Sequence, residues 1–295
     1  MSKPTNQKSS KRKQHITAGI ILLSYFGIFI ISATCQTLPP KPLSVSTEIY
    51  EKNGATKSYP WIKPRSKGFP VLSSFYFNYT DGDHQMKRVG MDYSEETINN
   101  QDVYIWTSYF HDKNGDDPYN TKLHMNYIDW LSDIHINRGN FDDDMTAHLQ
   151  SIPEGWHLGL IGFSMEIIEP GVDDSEINQI AIKYIKNENI VNTRFTQYPY
   201  VSNFNWRLAY IVMPPKAVKG IYTVAGTSTG KSTHMVEPGK HFLQSFDIHF
   251  TDNENHHLDQ FGIVFSNDEV EVSFNDKNNN DEFYYNINYG VFNTE

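Results

Sequence analysis

Two short loops concentrate candidate oxygen ligands: Asp112-Lys113-Asn114-Gly115-Asp116-Asp117 and Asp276-Lys277-Asn278-Asn279-Asn280-Asp281. Alternating carboxylate and amide side chains in a tight loop offer the hard oxygens that calcium takes, about six to eight at a time. Asp112, Asn114 and Asp116 would supply them in the first loop, and Asp276, Asn278 and Asn280 in the second. The calcium-binding hand requires Gly at its sixth position and Glu at its twelfth, where this chain has Asp117 and Leu123. Asn and Asp also dominate turns for conformational reasons alone, so a plain turn competes with calcium at both places. No other cofactor is expected.

Histidine is the second candidate. His84 stands beside Asp83, and His256 beside His257, at corresponding places in the chain. Two histidines and a carboxylate are zinc ligands, but no helix sets a His-Glu-x-x-His spacing and no third ligand can be placed from sequence. A histidine bonded to a turn carbonyl or carboxylate is the simpler account. Serine hydrolysis lacks its elbow, because Gly162-Phe163-Ser164-Met165-Glu166 has no second glycine. Gly226-Thr227-Ser228-Thr229-Gly230-Lys231-Ser232 imitates a phosphate loop but has three residues between its glycines instead of four. No helix follows it to hold a phosphate, so it is read as a flexible polar linker. Trp106, Tyr109, Tyr119, Tyr198, Tyr200, Tyr284 and Tyr285 offer rings for a sugar or a partner protein, with Tyr104 and Tyr284 expected on polar faces.

The elements that must position these groups are organised by an internal repeat. Ser74-Phe75-Tyr76-Phe77-Asn78-Tyr79-Thr80-Asp81 aligns with Ser245-Phe246-Asp247-Ile248-His249-Phe250-Thr251-Asp252. With one residue inserted, His84, Met86, Gly90 and Met91 then match His256, Leu258, Gly262 and Ile263, and Asp112 and Asp117 match Asp276 and Asp281. A degenerate copy lies between, where Phe163, Met165 and Ile167 replace Phe75, Phe77 and Tyr79, and Ile177, Ile180 and Ile182 replace Met86, Val89 and Met91. Its acidic loop is missing.

Within each copy, apolar residues alternate with polar ones, the period of half-buried strands. Phe75, Phe77 and Tyr79 share one face, as do Val270, Val272 and Phe274, and Val103, Ile105 and Thr107 are read the same way. Helical periodicity is confined to 126–132 and 142–151. The pattern predicts an all-β protein of repeated antiparallel four-strand units packed as β-sandwich modules. The expected organisation is a membrane-anchor segment at 1–35, a Pro-containing tether at 36–70, repeat one at 71–130, a connector at 131–159, a degenerate repeat at 160–213, a linker at 214–241 and repeat three at 242–295.

Composition and charge limit the function. A single cysteine in 295 residues excludes a disulfide framework and Cys-rich zinc folds. Five cations and no acid in the first 35 residues give that segment +5, so the remaining 260 hold −15 of the net −10. A body this acidic repels phosphate backbones, so no nucleic-acid partner is expected. Cations and basic protein patches suit it better.

Residues 2–15 are polar and basic, and 16–35 form an uncharged run ending in Ser32-Ala33-Thr34-Cys35. A basic flank, an apolar stretch and small residues are the layout of an export signal, and the run is also long enough to span a bilayer uncleaved. With its lone cysteine at the end, the segment resembles the signal of bacterial lipoproteins, although Ser32 and Thr34 stand where that family prefers Leu and a Gly or Ala. The resemblance implies lipidation of Cys35, and Gln36 after it implies sorting to the outer membrane. The chain is therefore expected to be an exported, envelope-anchored, non-catalytic protein that binds other envelope proteins. A glycan-binding module is the alternative, and a metal-dependent hydrolase a third.

Overall fold

The structure, a computed structural model, describes residues 43–294 apart from 57, 81–85, 113–116, 130–134, 143–145, 150–151, 169–175, 198–203, 253, 255 and 277–280. Cys35 and the anchor segment, His84, and Asn114, Asp116, Asn278 and Asn280 lie outside the described residues. The fold is all-β, and it is built from three copies of one six-strand pattern. Copy one comprises Ser44–Ala55 (β1), Tyr59–Pro64 (β2), Phe69–Tyr79 (β3), Arg88–Ile98 (β4), Gln101–His111 (β5) and Tyr119–Asp129 (β6). Copy two comprises His135–Asp142 (β7), Thr146–His148 (β8), His157–Ile167 (β9), Ile177–Ile185 (β10), Ile190–Gln197 (β11) and Phe204–Met213 (β12). Copy three comprises Val218–Thr229 (β13), Lys231–Met235 (β14), His241–Phe250 (β15), Leu258–Phe265 (β16), Glu269–Asp276 (β17) and Glu282–Phe292 (β18).

These strands form three antiparallel sheets of six, in the orders β1-β6-β3-β16-β17-β14, β2-β5-β4-β9-β12-β7 and β13-β18-β15-β10-β11-β8. Each sheet joins half of one copy to half of another. The seam is always the third strand of one copy against the fourth strand of a neighbour, and it repeats residue for residue. Phe75 lies opposite Ile263, Phe163 opposite Met91, and Phe246 opposite Ile182. The pairing of the third and sixth strands skips one residue at the same place in every copy, at Ser73, Ile161 and Gln244. These bulges add local twist, which lets three sheets close on each other. The degenerate copy two is thus a full structural repeat.

Closure brings the inner faces together. Phe75, Phe163 and Phe246 meet with ring centroids 5.1 Å, 5.7 Å and 5.2 Å apart, each at most 1% exposed. Edge-to-face and tilted contacts at these distances suit the ring quadrupoles. Phe77, Tyr79, Ile248 and Phe250 continue the same buried faces along β3 and β15.

Several sequence expectations are corrected. The all-β sandwich of repeated antiparallel units stands, but the units interleave: β3–β6 and β4–β5 of one copy pair in different sheets, so every copy is completed by the others. Period-two patterning tells which face of a strand is buried, not which strand lies beside it. The expected tether carries β1 and β2, whose Pro60 and Pro64 are tolerated because β2 is an edge strand. The expected connector carries β7 and β8, and the expected linker is β13 and β14 around the left-handed Gly230 (φ 70°). The two segments of helical periodicity contain the end of β6 and the strand β8; among the described residues there is no α-helix. In β5 the buried face is Tyr104, Trp106, Ser108 and Phe110, and of Val103, Ile105 and Thr107 only Val103, at the strand's start, is buried. Large rings take the interior in preference to β-branched residues because they bury more area.

Candidate functional site

In every copy the loop from third to fourth strand and the loop from fifth to sixth leave the sheets at one end. The register shows this: Tyr79 pairs with Tyr119 and Arg88 with His111, while Phe250 pairs with Phe283 and Leu258 with Asp276. Antiparallel seams put neighbouring copies the same way up, with Gln260 opposite Asn78 and Arg88 opposite Glu166. Backbone bonds from Ile167 N–H to the Lys87 carbonyl and from Ile177 N–H to the His256 carbonyl stitch adjacent loops together.

At this end copy three assembles a histidine and three carboxylates. His256 is 2% exposed, and its ring lies on Phe250 with centroids 3.7 Å apart. Its Nε2 is 2.6 Å from Asp252 Oδ1, which also accepts the Glu254 backbone N–H at 3.2 Å. Held ionised at neutral pH, the Asp252 carboxylate can only accept, so Nε2 carries the proton and donates. Partial burial is the largest single influence and works against the Asp252 charge, but the hydrogen bonds from His256 and the Glu254 backbone N–H together outweigh it and hold this carboxyl below its ordinary range. The other ring nitrogen, Nδ1, is buried and makes no hydrogen bond. It faces Asp281 Oδ2 at 3.3 Å and Asp276 Oδ2 at 3.8 Å. A proton shared with Asp276, and secondarily burial, pushes Asp281 up to about 6. One donor atom from each of His256, Asp276 and Asp281 falls within a 4.8 Å group, a spacing that a metal ion can bridge.

Of the sequence-predicted residues, Asp276 is in this cluster, and Asp112 lies in copy one where its charge acts on the Tyr79 hydroxyl. Burial first, then Asp112 and Asp117, raise that hydroxyl well above its ordinary value. Tyr79 stands in copy one where Phe250 stands in copy three. His257, expected with His256, turns away to pair with Glu176 of copy two at 3.4 Å. Tyr104 is 2% exposed and so is no surface ring, whereas Tyr284 is half-buried against His249.

Asp252 and Asp281 were not singled out as ligands from sequence, yet the signal was there. The four clustered residues, Asp252, His256, Asp276 and Asp281, are identical in type and order to Asp81, His84, Asp112 and Asp117 of copy one. Residues shared between copies, more than the acidic run within each loop, mark the site. No known protein-family model matches the chain, and no curated protein matches it.

Proposed function

We propose that this chain is an exported, membrane-tethered, non-catalytic scaffold that binds envelope partners with its acidic loop end. One observation carries the reading: the chain enters the β body at the end opposite the loops. Ser44 pairs with Asp129 and Phe69 with Ile128, whereas Tyr79 and Tyr119 pair at the loop end. The eleven residues of β3 separate the two ends by about 35 Å at strand rise. A tether attached before Ser44 therefore leaves the His256 cluster among the parts of the body farthest from the point of attachment. Burial of His256 and Asp276 beneath the surface supports a structural centre over a catalytic one, since a substrate needs access to its acid or base. The acidic body favours a basic partner surface. Lipidation of Cys35 with sorting to the outer membrane is the form of tether that the sequence supports, and acyl chains at about 0.8 kcal/mol per buried methylene would dominate attachment.

The test has two arms. Cys35→Ser should release the protein from membranes or leave it uncleaved in the inner one, and fatty-acid labelling of the wild type should be lost. A photo-crosslinker at the exposed loop-end Glu254 should capture envelope proteins that one at the far-end Lys216 does not. Equal yields from both positions would sink the loop-end reading, and unchanged fractionation with no label would sink the lipid tether.

A glycan-binding reading is favoured by a different observation. Cavities of about 260 Å³ and about 160 Å³ lie at the same place on two seams, one lined by Asp92, Tyr93 and Arg207, the other by Asp247, Asn286 and Asn288. Each cavity has a carboxylate, beside Arg207 in the first and beside Asn286 and Asn288 in the second, and such groups suit the hydroxyls of a sugar. Glycan-array binding that disappears in Asp247→Ala would decide for it.

A further inference from the structure

We infer that His256, Asp276 and Asp281 bind a first-row divalent metal ion of the zinc type, with Asp252 orienting the histidine. Such a site is independent of the tether and of the loop end's partner. Because Asp252 accepts from Nε2 at 2.6 Å, the neutral imidazole leaves a bare lone pair on Nδ1. That lone pair is buried without a hydrogen bond and points at oxygens of two carboxylates, 3.3 Å and 3.8 Å away. Nδ1 and one oxygen of each carboxylate lie within 4.8 Å of one another, and a cation among them would satisfy the buried lone pair.

The chemistry of the donors selects the cation. Calcium and magnesium take oxygen alone, whereas an imidazole nitrogen with two carboxylates is a set that zinc accepts at four-coordination with one further ligand. The surroundings are those of a ligating histidine. Its second nitrogen bonds a carboxylate, which fixes the tautomer and raises the basicity of the first, and Phe250 stacked at 3.7 Å holds the ring plane. This revises the calcium expectation drawn from the alternating Asp and Asn side chains: the ligands come from two loops, and one of them is nitrogen.

Isothermal titration of the full-length protein in detergent at pH 7.5 with zinc chloride is the test. We expect micromolar binding. Asp281→Asn should remove one equivalent of zinc while far-UV circular dichroism stays unchanged, because this side chain is on the loop and partly exposed. Asp252→Asn, which touches no metal, should keep the equivalent but weaken it by about 10- to 100-fold. Calcium chloride should not compete at equal concentration. Three results would overturn the site: no zinc binding at 1 mM, a stoichiometry unchanged in Asp281→Asn, or calcium binding as tightly as zinc.

Discussion

Truncating Phe75 tests the threefold core most directly. The side chain is fully buried and its ring centroid lies 5.1 Å from that of Phe163, 5.7 Å from Phe246, 4.8 Å from Phe261 and 5.9 Å from Phe77. Phe→Ala in a packed core costs about 3–5 kcal/mol from lost transfer energy and the cavity left behind. Ring pairs each add about 0.5–1.5 kcal/mol beyond area, although not additively, so Phe75→Ala belongs near the top of that range, about 5 kcal/mol. In a body of this length that is a fall in Tm of about 10–20 °C. Tyr76, the half-buried neighbour whose hydroxyl accepts the Gln260 amide at 2.9 Å, should cost about 1 kcal/mol when cut to Ala. Because Phe163 and Phe246 occupy equivalent places, their Ala variants should lose as much as Phe75→Ala to within about 2 kcal/mol, a comparison that chemical denaturation followed by tryptophan fluorescence can make. A Phe75→Ala protein within about 1 kcal/mol of wild type, or a large loss in only one of the three variants, would refute the argument from an axial aromatic core.

Two further outcomes follow from particular contacts. Burial would raise Asp247, but the His249 ring 3.6 Å away, the Lys183 ammonium and the Gln179 amide together overcome it and hold the carboxyl at about 2. Its folded value is depressed, so its contribution of about 2 kcal/mol is present above the unfolded pKa near 4 and is lost as pH falls through about 2. Asp247→Asn should flatten the stability profile between pH 2 and 4 in acid titrations, and an unchanged slope there would refute the assignment. Gly90 has φ 115° and an added Cβ would meet the Phe163 carbonyl oxygen at 2.3 Å across the seam. Gly90→Ala should therefore destabilise by about 3 kcal/mol or more, whereas the equivalent Ala181 of copy two already carries a methyl group. Thermal unfolding of Gly90→Ala at wild-type temperature would show that the β4–β9 seam is looser than this geometry requires.

Strand content, the buried faces of β3, β15 and β17, and the threefold repetition were all legible in the residues. Alternating side chains point to opposite faces, and a slip of one residue would expose Phe75, Phe77 and Tyr79 together, so pattern determines orientation. The pattern failed where side-chain size overrode it, as in β5, and where prolines marked a sheet edge instead of a tether, as in β2. Partner choice was not legible at all. Backbone hydrogen bonds have no side-chain identity, so nothing local could say that β3 would pair with β16 of another copy and not with β4 of its own. The candidate site divides the same way. Its four residue types and their order recur between copies, and that recurrence belongs to the sequence. That Asp252 would bond one nitrogen of His256 while Asp276 and Asp281 face the other depends on two loops, some twenty residues apart, reaching the same end of the body, which only the paired and closed sheets decide.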